Sequence, residues 1–264
     1  MESDDGSMTG RKDHYYNKSK QEGYRSRAAY KLTQLDREMG LLSSGGTVVD
    51  LGAAPGGWLQ VAAEAVGPSG RVVGVDFQRI QNFDDHDVET IRGDMTEDDT
   101  KDRVREAAGG TVDTVVSDMA PNMTGEYSVD HARSVYLARQ ALETALDLLD
   151  SGGDFAVKVF DGQDFEAFRE DVEAAFEYVR VLRPDASRDS SSEVYVVGKG
   201  RLTTDLRPGD ELAVEITGVG DEGDGIAYVD GYTLFVDGAI PGDEPTVEVT
   251  DVKPRFGFAE IVAE

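Results

Sequence analysis

The sequence predicts an α/β chain: a Rossmann-like, doubly wound and mostly parallel sheet followed by a small all-β barrel. Three observations carry that expectation. Short apolar β-type runs alternate with helical segments through the first 200 residues. A glycine-rich turn, Asp50-Leu51-Gly52-Ala53-Ala54-Pro55-Gly56-Gly57-Trp58, joins the first of those runs to a helix. After Lys199-Gly200 helical patterning stops, and Gly/Asp turns separate short strands to the end of the chain. Alternation of this kind builds a parallel sheet whose ligands bind at the carboxyl ends of the strands.

In chain order, residues 1–10 are polar and are expected to be disordered. Residues 11–31 break the trend of the chain, with seven Lys/Arg against Asp13 and Glu22 and with Tyr15, Tyr16 and Tyr24 interleaved. Basic and aromatic side chains together suit RNA phosphates and bases. A helical period covers 26–42 through Ala29, Leu32, Leu35 and Met39. Strands are expected at 47–51, 71–76, 89–92, 113–117, 154–160, 178–182 and 193–198, and helices at 57–66, 97–108, 128–149 and 164–176. The last two strands have no helix between them, so an antiparallel hairpin edge is expected there. The segments 211–217, 225–229, 232–236, 246–251 and 257–262 read as a five-stranded barrel. The organisation is thus 1–10 disordered, 11–200 sheet domain and 201–264 barrel.

Composition bounds the function. The chain has 264 residues, 53 acidic against 26 basic, for a net charge of −27. Arg outnumbers Lys and the excess acid runs the whole length, a pattern that fits an intracellular protein of an extreme halophile rather than a dedicated acidic interaction surface. With no cysteine, disulfides, thiolate catalysis and Cys-type zinc sites are excluded. His14, His86 and His131 fall in no metal-ligand spacing, so no metal is expected. No apolar stretch is long enough to cross a membrane and the N-terminus is no signal peptide, which places the protein in the cytoplasm without a membrane partner.

The glycine turn lets a backbone approach a ligand at a helix N-terminus. Position 54 is Ala, so the turn is not the G-x-G-x-x-G of a dinucleotide fold, which disfavours a nicotinamide-dependent oxidoreductase. Asp76 ends the second strand, where an acid accepts ribose hydroxyls. Asp94 follows the third, placed for an adenine amino group. A turn, a ribose acid and an adenine acid together are how class I folds hold S-adenosylmethionine.

Four further segments carry the chemistry: RAAYKL with Lys31, SDMAPN with Asp118, VKVF with Lys158 and SSEVYVV with Glu193. A lone charge inside an apolar strand, as Lys158 is, costs several kcal/mol unless partnered. With DLGAAPGGW, this Lys-Asp-Lys-Glu order resembles the RrmJ/FtsJ family of ribosomal RNA 2'-O-methyltransferases over roughly residues 11–200. The resemblance implies the class I, S-adenosylmethionine-dependent fold, with Lys31, Asp118, Lys158 and Glu193 catalytic and Gly56, Trp58, Asp76, Asp94 and Asp118 on the cofactor. Lys158 is then either the general base or a cation that orients the hydroxyl; Lys31 and Glu193 position the ribose. The implied substrate is a uridine of 23S RNA in the 50S subunit. The alternatives are tRNA ribose methylation and a non-catalytic RNA-binding assembly factor. The tail from Gly209 resembles a TRAM domain, an RNA-binding barrel, although residues 201–264 as a whole hold fifteen acidic and four basic residues. In molar salt the Debye length falls to about 3 Å, so its affinity would rest on stacking; Arg255, Phe256 and Phe258 are the candidates.

Overall fold

The computed structural model describes residues 7–83, 87–110, 112–187 and 192–262; His86 lies outside them. Two helices, α1 (Ser7–Glu22) and α2 (Ala29–Met39), precede a seven-stranded sheet. Its strands are β1 (Thr47–Leu51), β2 (Arg71–Asp76), β3 (Glu89–Arg92), β4 (Thr114–Ser117), β5 (Asp154–Phe160), β6 (Phe176–Leu182) and β7 (Glu193–Arg201). Helices α3 (Gly57–Val66), α4 (Asp98–Ala108), α5 (Tyr127–Leu148) and α6 (Phe165–Glu173) connect them. The order is β3-β2-β1-β4-β5-β7-β6, with β7 antiparallel to both β5 and β6. The expected antiparallel pair is present, but β7 is inserted inside the sheet and β6 forms the edge.

Burial follows that order. Every residue of β1 and β4 is buried, because helices cover both faces of a central parallel strand. In edge strand β6 only Phe176 is fully buried. One apolar cluster lies between the sheet and α4, α5 and α6; a second lies beneath α2 and α3. Phe155, fully buried and stacked on Phe176 at 5.9 Å, anchors the first. Phe155→Ala is expected to cost about 3–5 kcal/mol, read from urea unfolding in molar KCl.

Two expectations are corrected. Helix α1 starts at Ser7, inside the stretch read as disordered. It has no apolar stripe to reveal it; it is held instead by Tyr15 against Tyr30 at 5.4 Å, by Lys18 over the Tyr30 ring at 4.7 Å and by Gln34 donating to the Tyr15 hydroxyl. The expected strand at 211–217 is broken into β8 (Glu211–Ala213) and, further on, β9 (Gly218–Val219). Between them Val214 and Ile216 are buried in the second domain's core, and their N–H groups donate to the carbonyls of Pro245 and Asp243 rather than to a strand.

With β10 (Gly225–Val229), β11 (Tyr232–Asp237), β12 (Thr246–Val252) and β13 (Phe256–Ile261), these strands make a curled six-stranded sheet in the order β8-β12-β13-β11-β10-β9. Only the β11–β13 pair is parallel. This unit meets the larger sheet through the β12–β13 turn: Ser151 donates to the Pro254 carbonyl, and Lys253 pairs with Glu177 at 3.0 Å. Both partners lie by the amino-terminal starts of β5 and β6. Among the described residues no helix is long and apolar enough to cross a membrane.

Candidate active site

At the carboxyl ends of the central strands the four charged residues meet. Lys158 sits in β5 and pairs in register with Tyr195 of β7; Glu193 opens β7 opposite Phe160. Asp118 follows β4, and Lys31 reaches in from α2. Lys158 Nζ donates to Asp118 Oδ1 at 2.9 Å and to the Asp118 carbonyl at 2.5 Å, and lies 4.0 Å from Glu193 Oε2. Lys31 Nζ lies 2.7 Å from Glu193 Oε1 and 3.5 Å from Asp118 Oδ1. Lys31, Lys158 and Glu193 are all buried. Two cations against two anions offset the desolvation of each, several kcal/mol per ion when unpaired.

The sequence did not single out Tyr195. Its side chain is fully buried and its hydroxyl donates to Asp118 Oδ1 at 2.5 Å, with Glu193 Oε1 at 3.5 Å. Burial, and then the negative charges of Asp118 and Glu193, push the phenol well above its ordinary pKa, which keeps it a neutral donor. The available signal was its place two residues after Glu193, on the same face of a strand. Ser187, also unremarked, donates to Glu193 Oε1 at 2.8 Å. Burial would raise the Asp118 carboxyl, but Lys158, Lys31 and the Tyr195 hydroxyl together hold it below its usual value. Tyr195→Phe removes a bond to a charged acceptor and is expected to cost about 1.5–3 kcal/mol, measured by urea unfolding alongside Phe155→Ala.

Asp118 also borders a cleft of about 750 Å³ that runs over the switch point between β1 and β4. Gly52, Asp76, Asp94, Met119, Arg133 and Tyr136 line it. Gly52 has φ 76°, and a Cβ there would collide with the Met119 side chain. Asp76 receives the Ala54 N–H on Oδ2 at 2.9 Å and the Gln78 N–H on Oδ1 at 2.7 Å, tying the glycine turn to the end of β2. Asp94 receives both the N–H and the hydroxyl of Thr96 on Oδ1.

Gly56 and Trp58 are not among the lining residues. Gly56 caps α3 with φ 107° and backs onto Phe83 and Arg25; the Trp58 indole donates inward to the Ala28 carbonyl at 2.7 Å and packs near Tyr195. Both positions are buried at the N-terminus of α3, behind the glycine turn. The basic segment read as RNA-facing is partly structural: Arg25 donates to the Pro55, Gln81 and Asn82 carbonyls and stacks on Phe83, and Tyr24 donates to Glu64. Tyr16 and Lys20 remain exposed.

The sheet order, the glycine turn and the charged cluster beside the cleft define a methyltransferase of the Rossmann-like kind. Residues 24–201 match the FtsJ-like methyltransferase family and residues 205–262 match the TRAM domain. The chain is 66% identical over 254 residues to ribosomal RNA large subunit methyltransferase E of Halobacterium salinarum, covering 96% of this chain and 98% of that one. Identity to the protein of that name in Natronomonas pharaonis is 67% over 250 residues, covering 95% of this chain and 98% of that one. A Plasmodium falciparum structure described as a ribosomal RNA methyltransferase superposes with a TM-score of 0.60 at 26% identity, covering 67% of this chain and 98% of that one. The chain belongs to the FtsJ-like methyltransferase family.

Proposed function

We propose that the protein transfers a methyl group from S-adenosylmethionine to the 2'-hydroxyl of a uridine in the 23S RNA of the large ribosomal subunit. The observation that carries this is the double role of Asp118: one carboxylate both lines the cleft and holds Lys158 and Lys31. Side-by-side transfer and activation would require such a shared residue. The residues fit the donor chemically. The cleft is within the size range of small-molecule sites, its rim is acidic, and Asp50 Oδ2, two residues before Gly52, is buried without a hydrogen-bond partner. Asp76 and Asp94 would take the ribose and the adenine, and the glycine turn, which lines the cleft at Gly52 and Ala54 and is held in place by Gly56 and Trp58 behind it, the remainder of the molecule. Bound there, S-adenosylmethionine supplies an electrophilic methyl on a sulfonium. The names of the relatives supply the ribosomal RNA target.

A ribose hydroxyl is a weak nucleophile, so alignment dominates, worth roughly 7–11 kcal/mol at best. Lys158 spends two donor positions on Asp118; an ammonium has three, and the third orients the hydroxyl and stabilises the oxygen as it gives up its proton. Lys31 and Glu193 hold that geometry and balance its charge. On the second domain, Phe235, Phe256 and Phe258 form a ring cluster with centroids 5.6–5.9 Å apart, and the last two are partly exposed. Stacking of this kind persists when salt screens phosphate contacts, at about 1–3 kcal/mol per base. Joint replacement of Phe256 and Phe258 by alanine is expected to weaken 23S RNA binding at least tenfold, measured by filter binding in molar KCl.

The test of the function is methyl transfer from labelled S-adenosylmethionine to 50S subunits, naked 23S RNA and tRNA in molar KCl. Label at a uridine ribose of 23S RNA is the expected result. Label on tRNA alone would overturn the target, and cofactor binding without label on any RNA would overturn the reaction.

A further inference from the structure

Beneath the glycine turn lies a carboxyl group that the chemistry above leaves unused. Asp50 is 2% exposed in β1 and its Oδ2 is buried with no hydrogen-bond partner. Its register neighbours are Gly74 in β2 and Val116 in β4, neither of which brings a polar side chain. Following the register across β1, β4, β5 and β7 aligns Asp50 with Val116, Ala156 and Val197. Those three share an apolar cluster with Val48 and Tyr195, so they mark one face of the sheet. With a side-chain period of two, Asp50 lies on that face one pleat below the row of Asp118, Lys158 and Tyr195.

The charges around it do not balance. Asp118 beyond β4 and Asp76 at the end of β2 both oppose its ionisation. Lys158 from β5 and Lys31 from α2 are already held by Asp118 and by Glu193 from β7, and Tyr195 is neutral. Burial first, and then Asp118 and Asp76, push the Asp50 carboxyl well above the ordinary range. With Asp50 ionised, the group beneath the glycine turn is therefore short of one positive charge, and a cationic ligand in the adjoining cleft, which Gly52 lines two residues on, is the group that would supply it.

Resting on the proposed donor chemistry, we infer that Asp50 reads the charge of the cofactor, giving up its proton when a sulfonium enters the cleft and regaining it when the neutral thioether remains. In the reaction the ribose oxygen bonds the methyl carbon, and the carbon–sulfur bond breaks with its electron pair left on sulfur. The hydroxyl proton leaves to solvent. The cleft thereby loses one positive charge, and Asp50 takes one proton from water in its place. Asp50 so acts as a positioning and specificity residue that favours donor over spent product.

Calorimetry of S-adenosylmethionine and S-adenosylhomocysteine binding, in molar KCl near neutral pH and in two buffers of different protonation enthalpy, tests this. Wild-type protein is expected to release about one proton with the sulfonium, as a new opposite charge beside a carboxyl requires, and none with the thioether. Asp50→Asn is expected to abolish the release and to reduce the preference for the sulfonium about tenfold or more, the coupling that one pKa unit represents. Should that variant not fold, the proton count of the wild-type protein decides alone. Equal proton counts for the two ligands, or equal weakening of both in Asp50→Asn, would overturn the inference while leaving the proposed function standing. Failure of wild-type protein to bind either ligand would overturn both.

Discussion

Lys158→Ala is expected to lower methyl transfer by about 10²–10⁴-fold, the range spanned by loss of one proton-transfer group or one oxyanion donor. Cofactor binding should survive, because Lys158 is not among the residues lining the cleft and reaches it only through Asp118. Lys158→Arg separates the two roles open to this lysine. A guanidinium keeps the charge and the donor but does not give up its proton in proteins. Measurable activity in Lys158→Arg above that of Lys158→Ala, with a flat pH–rate profile, is the expected outcome for an orienting cation. A rate that rises tenfold per pH unit in the wild-type enzyme, with an inert arginine variant, would make Lys158 the base.

The second large effect falls on stability. Asp118 Oδ1 receives Lys158 and Tyr195 and sits 3.5 Å from Lys31. Asp118→Ala leaves two buried ammonium groups with Glu193 as their remaining anion among the described residues, and removing one partner of a buried pair typically costs about 3–5 kcal/mol. Urea unfolding should show that loss together with loss of methyl transfer; Asp118→Asn, which keeps the shape, should lose activity with less of the stability. The sign of the pH dependence follows from the lowered Asp118 carboxyl. A group whose folded value lies below its unfolded one stabilises the fold above the unfolded value, about 3.9 for an aspartate. That contribution is lost as pH falls below about 4 and on through the folded value. Asp118→Asn should remove this part of the acid sensitivity.

Lys158 was legible because one lysine inside AVKVF cannot be buried without a partner, and Asp118 because it ends the apolar run before it. Asp76 and Asp94 were legible as acids following successive strands. Tyr195 was not, since an aromatic in an apolar strand is indistinguishable from core until its hydroxyl finds an acid. Asp50 was hidden for the opposite reason: in an aspartate-rich chain, one more acid beside a turn carries no signal. Arg25 and Tyr24 were placed on a surface by their type, whereas their donors close on the backbone carbonyls of the glycine turn and on Glu64. Helix α1 escaped because tyrosine packing, not an apolar stripe, holds it. The break in 211–217 turned on the carbonyls of Pro245 and Asp243, far along the chain, which no local pattern encodes.

The attachment of the second domain has a consequence for the size of the substrate. Its β12–β13 turn grips the sheet at Ser151 and Glu177, by the starts of β5 and β6, while the charged cluster occupies the opposite ends of the strands. The seven residues of β5 at about 3.3 Å each set the two some 20 Å apart. The molecule is built as a caliper. An RNA in contact with both jaws has to reach at least that far, about six stacked nucleotides at roughly 3.4 Å each, so an oligonucleotide shorter than that can satisfy only one of them.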